Sequence, residues 1–158
     1  MNTESLYGVV AYPDNSRHTD YLFRVSLKAV IINDEGRVLI VKETGRDWWD
    51  IPGGGLDHGE SIKEALIREL HEEVGFSGNL EYEPIDIGEP HVLKHLKLYQ
   101  MRLTLLVKPD NFDFQPGVDG DEVQFIDPNE FKESEKWPEQ SIYKYSQLAI
   151  KRLASSSL

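Results

Sequence analysis

The segment 54–76, GGLDHGESIKEALIRELHEEVGF, opens on glycines, runs on as good helix formers and closes on another glycine before an aromatic residue. Ser61 with Glu64 three positions on makes a capping box, and Gly75 stands where a left-handed C-terminal cap is wanted, which predicts a helix over 61–74. On it Glu69, Glu72 and Glu73 stand at i, i+3 and i+4, within one arc of about 100°. Ile62, Leu66, Leu70 and Val74 begin at the edge of that arc, so the carboxylates border the buried seam and line a cleft or its rim. Like charges at these spacings cost roughly 0.2–0.5 kcal/mol each, and negative charge in a last turn opposes the helix dipole by roughly 0.3–1 kcal/mol more. A divalent cation bound by their oxygens reverses the sign of those terms, and hard oxygen ligands suit Mg²⁺ or Mn²⁺.

Outward from the helix, Trp48–Ile51 is a short extended run before Pro52. The glycines 53–55 that follow are too permissive for the interior of a regular element, which predicts a loop. Tyr21–Ile32 and Arg37–Val41 alternate around the turn Asn33–Gly36 and predict a β-hairpin. Downstream, 80–87 and 93–108 predict strands, the longer one with a β-bulge near Tyr99, where its apolar phase changes. The stretch 109–121, rich in Pro, Gly and Asp, predicts a loop, followed by a short strand over 122–126 and a second helix over 139–153. Strands on both sides of a central helix, with a helix at the end, give the α/β class: a mixed sheet covered by helices.

The whole chain, 158 residues with 39% hydrophobic and 28% charged, fits one domain over 1–158. Lys plus Arg number 17 against 28 Asp plus Glu, a net charge of −11, which repels nucleic-acid polymers and anionic membranes. The absence of cysteine excludes a disulfide scaffold, a thiolate zinc site and a cysteine nucleophile. Met1–Glu4 has no basic flank, and apolar runs such as Ala29–Ile32 and Leu103–Val107 are too short for a signal-peptide core or a membrane span. A cytoplasmic protein is the expectation.

Gly54, Glu60, Arg68, Glu69, Glu72, Glu73 and Gly75 occupy all seven fixed positions of a pattern that resembles the Nudix hydrolase box, G-x5-E-x7-R-E-U-x-E-E-x-G-U with U a bulky apolar residue. Phe76 is aromatic where an aliphatic residue is commoner. The box covers 54–76, and Trp49–Gly53 also resembles the family's lead-in. The resemblance implies an α/β/α sandwich that cleaves a phosphoanhydride bond of a nucleoside diphosphate linked to another moiety, or of a nucleoside triphosphate. It further implies that Glu69, Glu72 and Glu73, with the carbonyl of Gly53, hold Mg²⁺ or Mn²⁺. Arg68 would orient Glu69 through a charge-assisted hydrogen bond, and Glu60 would tie the glycine loop to the helix start. Two groups stand as proton acceptor for the attacking water: Glu69, or Glu122, which opens a strand after a loop flexible enough to swing over a bound diphosphate. A non-catalytic sensor of a nucleotide metabolite is the alternative function, against which the intact carboxylates count. Pro90, fifteen residues past Gly75, is reminiscent of members that hydrolyse ADP-ribose.

Other patterns carry less. Gly54-x4-Gly59 has P-loop spacing, but Glu60 stands where a lysine is needed. His91 and His95 lie in an extended segment, roughly 13 Å apart, and do not share a zinc. His58 carries no role. Trp49 reads as core, and Trp48 as core or as a base-stacking residue. Lys42, Arg46, Lys97 and Arg102 are the cations able to steer a diphosphate if they face the cleft.

Overall fold

A computed structural model describes residues 9–10 and 20–156; Met1–Glu4 and Ser157 lie outside the described residues. In chain order the elements are β1 (Val9–Val10), β2 (Asp20–Tyr21), β3 (Phe23–Val30), β4 (Val38–Glu43), β5 (Gly53–Gly55), α1 (Ile62–Val74), β6 (Leu80–Ile87), β7 (His91–Leu93), β8 (Leu98–Pro109) and β9 (Gly120–Ile126). A 3-10 turn at Pro128–Phe131 leads into α2 (Trp137–Ser156). No helix among the described residues is long and apolar enough to cross a membrane.

The alternation of β3 and β8 builds the layers. These two strands pair in parallel at the centre of a sheet ordered β5-β3-β8-β6, in which every other pairing is antiparallel, and β7 adds to β8. Leu27, Ala29, Leu105 and Val107 point to one side and pack on Leu66, Leu70 and Val74 of α1. Val30 and Leu106 point to the other and pack on Ile142, Tyr145 and Ala149 of α2. A helix on each face of a mixed sheet is the α/β/α arrangement expected, and β4 with β9 forms an antiparallel ribbon contributing to both cores.

Three local expectations are corrected. The turn at Asn33–Gly36 forms, with the Asn33 side chain accepting from the backbone of Glu35 and Arg37, yet the hairpin stops at one bridge, Ile32↔Val38. Both edges of β3 are already taken by β5 and β8, so β4 turns away and pairs with β9. The glycines 53–55 are a strand, not a loop: they lie antiparallel to Ser26–Lys28, bracketed by bonds from Ala29 N–H to Pro52 O and from Leu56 N–H to Val25 O. The long strand over 93–108 is a hairpin, broken by a turn at residues 94–97 in which Lys97 takes φ 52°. No bulge forms near Tyr99, where β8 pairs with β3 in unbroken register, and the apolar side changes within the strand because Leu98 shares its face with the polar Gln100, Arg102 and Thr104.

Helix α1 is fixed at both ends. The capping box of Ser61 and Glu64 closes its start, and Gly75 at φ 64° donates to His71 O. The next three carbonyls are satisfied from the loop before β9: Asp119 N–H to Glu72 O at 2.8 Å, Gly117 N–H to Glu73 O at 3.1 Å and Gln115 N–H to Val74 O at 3.0 Å. The loop expected to swing is therefore strapped to the helix that carries the carboxylates.

A Cβ on Gly117 would fall 2.2 Å from Glu72 O, a contact with backbone that no rotamer relieves. Gly117→Ala is expected to destabilise the protein by about 1–3 kcal/mol, the usual span for overpacking, measured as a lower urea midpoint at unchanged m-value.

Candidate active site

The register of β5 on β3 makes Leu27↔Gly54 the hydrogen-bonded pair and leaves the peptide groups of Gly53 and Gly55 pointing away from the sheet. An open sheet edge needs partners, and α1 supplies them. Gly53 N–H donates to Glu73 Oε2 at 3.0 Å, and Arg68 Nη2 donates to Gly55 O at 3.0 Å. Side chains would obstruct this approach. A Cβ on Gly54 would lie 2.4 Å from the Glu69 carboxylate, and one on Gly55 would lie 2.5 Å from the Arg24 guanidinium on the opposite face.

Arg68 is the hub of the site. Its Nη2 and Nε donate to the two oxygens of Glu60 at 2.6 and 3.1 Å, and its Nη1 donates to Glu69 Oε1 at 2.7 Å. The hydrogen bond from Arg68 holds the Glu60 carboxyl below the usual range. Burial pushes Glu69 up, against Arg68. Glu73 is only 5% exposed, and burial pushes it up to about 8, against the pull of Lys28 and the Gly53 N–H, while Glu43 and Glu69 repel it further. Glu72 stays at the rim, 3.6 Å from Arg68 Nη1.

The donor set fits a divalent cation. Carboxylates of Glu69, Glu72 and Glu73 and the outward carbonyl of Gly53 are hard oxygen ligands, and a buried, mutually repelling carboxylate pair is what such an ion relieves. Among the described residues, however, no three His, Asp or Glu side chains already converge as a cage.

Across β5 from these carboxylates lies a cleft of about 210 Å³ on the α2 side. Arg46 and Arg102, two of the cations considered in the sequence, line it; Arg24, Lys28, Glu43 and Trp137, which the sequence reading passed over, line it too. The missed signal is the alternation Arg24-Ser26-Lys28 against Val25-Leu27-Ala29 on one strand. The other expected cations go elsewhere: Lys97 sits in the β7–β8 turn, while Lys42 lies 4.7 Å from the Trp49 ring centroid and binds Glu122 Oε1 at 3.1 Å.

Glu122 is not brought to the carboxylate cluster. Val123 and Phe125 pack toward α1, so Glu122 points to the other face of the ribbon, where Lys42 holds it. Glu43, at the end of β4 and on the lining of the cleft, is the carboxylate from that ribbon that acts on Glu73. His58 is exposed in its loop, and His91 and His95 fall in β7 and the following turn. Trp49 packs against the second core, and Trp48 lies under Arg46, 5.3 Å from ring centroid to guanidinium.

A sequence model described as NUDIX domain matches residues 22–146. The RNA pyrophosphohydrolase of Haemophilus influenzae (strain PittEE) is 38% identical over 84 residues, 53% of this chain and 40% of that protein. That of Ruthia magnifica subsp. Calyptogena magnifica is 47% identical over 55 residues, 35% of this chain and 31% of the relative. The match thus spans less than half of these relatives. Among solved structures, the MutT NUDIX hydrolase from Burkholderia pseudomallei aligns with TM-score 0.61 at 17% identity, covering 78% of this chain and 98% of that one. The NUDIX domain of Shewanella oneidensis NrtR, complexed with ADP ribose, aligns with TM-score 0.63 at 14% identity, covering 85% and 90%. At these identities the likeness is one of fold.

The raised value of Glu73 sets a pH dependence. Because the native state holds this proton up to about 8 against an ordinary 4.5, folding takes up a proton between those values, and the stability it contributes is lost as pH rises. Chelator-treated protein is therefore expected to lose up to about 1.4 kcal/mol per pH unit across that window. Urea unfolding at several pH values measures the slope, and Glu73→Gln, neutral throughout, should flatten it; an unchanged slope in the variant would remove Glu73 as its source.

Proposed function

The chain belongs to the Nudix family, and from that premise we propose that it is a metal-dependent pyrophosphohydrolase acting on a small nucleotide. The observation that carries this reading is the set of three carboxylates on α1 laid against a glycine edge that admits them, with Glu69 in the space beside Gly54 and Glu73 on Gly53 N–H. Glu69, Glu72, Glu73 and the Gly53 carbonyl would hold Mg²⁺ or Mn²⁺. When bound, such an ion neutralises diphosphate oxygens and lowers the pKa of an attacking water.

The chain's own groups supply the rest. Arg68, fixed by Glu60 and Gly55 O, holds Glu69 Oε1 and leaves Oε2 to accept the proton of the water. Burial that raises the affinity of Glu69 for a proton brings it toward the range in which a general base works at neutral pH. Of the two proton acceptors considered from the sequence, this favours Glu69, because Lys42 holds Glu122 on the other face. Gly75 and the loop strap keep the last turn of α1, with Glu72 and Glu73, in place.

A binding module that retains a nucleotide without cutting it has the ADP ribose-bound neighbour on its side; the complete carboxylate set weighs against it. Pro90 is an exposed residue of the connection between β6 and β7. The relatives named as RNA pyrophosphohydrolases support the bond cleaved. A net charge of −11 favours a short substrate over a polymer of phosphates.

The test is a panel of nucleoside triphosphates, ADP-ribose, nucleotide sugars and dinucleoside polyphosphates with Mg²⁺ or Mn²⁺. Glu69→Gln should lower kcat on the best substrate by roughly 10²–10⁴-fold, the span for losing a general base, with an unchanged circular dichroism spectrum. Wild-type turnover in that variant would sink the assignment. Glu122→Gln should stay within a few-fold of wild type, since an exposed ion pair contributes roughly 0–1 kcal/mol.

A further inference from the structure

The α2-facing side of the central strands changes character along its length. One half carries Val30 and Leu106 in the second core. The other carries Arg24, Ser26 and Lys28 of β3 beside Gln100, Arg102 and Thr104 of β8, with Ser26 and Arg102 directly paired in register. Two central strands of a sandwich have given up apolar burial here. Ser26 Oγ and Arg102 Nε are buried without a hydrogen-bond partner, a cost that a polar ligand removes.

Charge narrows the ligand. Of the cleft's cations, Lys28 is neutralised by Asp50 at 2.8 Å and Arg46 by Glu43 at 2.9 Å. Among the described residues Arg24 and Arg102 pair with no carboxylate; Arg102 instead lies 5.0 Å from the ring centroid of Trp137. In a chain with 28 acidic residues, two neighbouring guanidiniums thus stand without a carboxylate partner among the described residues. They stand diagonally on adjacent strands, their Cα atoms roughly 8 Å apart by strand spacing, close enough for both forks to reach one phosphate.

Their position relative to the carboxylates completes the case. Glu69 meets Gly54 from the α1 side and Arg24 meets Gly55 from the α2 side, one residue apart on a strand without side chains. A polyphosphate crossing that strand with its cleaved bond at the carboxylates would present its next phosphate to the arginines. We infer that Arg24 and Arg102 form a clamp for a phosphate beyond the scissile pair, so that the substrate is a nucleoside with at least three linked phosphates and not a nucleoside diphosphate sugar. This rests on the hydrolase reading for the location of the cleaved bond.

Calorimetric titration in chelator, where nothing is hydrolysed, tests the clamp with two inorganic probes, tripolyphosphate and pyrophosphate. Wild-type protein should bind tripolyphosphate at least about tenfold more tightly, the scale of one charge-assisted hydrogen bond, and Arg24→Gln/Arg102→Gln should lose most of that preference. Lys151→Gln, the same charge change on the exposed side of α2, should keep it. Should the double variant not fold, Arg102→Lys, which retains charge but not the fork, should still weaken the preference. In turnover, the kcat/KM ratio for ATP over ADP-ribose should fall at least about tenfold in the arginine variants. Equal binding of the two probes by wild type, or an undiminished preference in the folded arginine variants, overturns the clamp even if nucleotides are hydrolysed. An arginine-dependent preference in a protein that hydrolyses none of the panel keeps the clamp and removes the hydrolase reading.

Discussion

The bond from Gly53 N–H to the Glu73 carboxylate joins an unpaired sheet edge to a buried acid, and each makes the other tolerable. The edge of β5 presents peptide groups that would otherwise need water or a further strand. Glu73, nearly sealed from solvent, has in that N–H the one hydrogen bond to its carboxylate that the structure contains among the described residues. Once α1 is docked this way, Glu69 must fill the space above Gly54, and Arg68 reaches Gly55 O while holding Glu60. The absence of side chains on β5 is thus a requirement of packing as well as of access.

Holding three carboxylates at the end of a helix works against the helix itself. The C-terminal carbonyls carry partial negative charge, and the acidic side chains add to it. Here the carbonyls of Glu72, Glu73 and Val74 each receive a backbone N–H from residues 115–119. Those donors meet the helix end with positive dipole ends and leave no frayed turn from which the carboxylates could drift. The close approach dictates composition: Gly75, Gly117 and Gly120 each face backbone oxygen at a distance a Cβ does not allow.

Features set by neighbours in sequence were legible, and those set by distant pairings were not. The capping box, the Gly75 cap and the carboxylate arc depend on contacts within four residues and appear in the structure where the spacing puts them. Whether Gly53–Gly55 is loop or strand depends on the free edge of β3, more than twenty residues away, and the glycines themselves carry no such information. The turn at Lys94-His95-Leu96-Lys97 has no Gly, Pro, Asn or Asp to announce it, and Lys97 adopts a positive φ instead. The polar stripe of β3 was visible as alternation; that it lines a cleft became apparent only with β8 alongside and α2 starting beyond it at Trp137.

Lys28 connects the two faces of the site. It lies on the cleft side of β3, in register with Gly53, and its ammonium is fixed by Asp50 Oδ2 at 2.8 Å and Ile51 O at 3.0 Å. From there it is the leading influence that lowers the proton affinity of Glu73 across the glycine strand. Because the strand between them has no side chains, little protein intervenes to separate the cation from the carboxylate. An anion entering the cleft adds negative charge beside Lys28 and so weakens its hold on the Glu73 charge, whereas a divalent cation at the carboxylates strengthens that charge directly. Two such ligands would therefore act on one buried carboxyl with opposite signs, through a glycine edge that puts little protein between the cleft and the carboxylate helix.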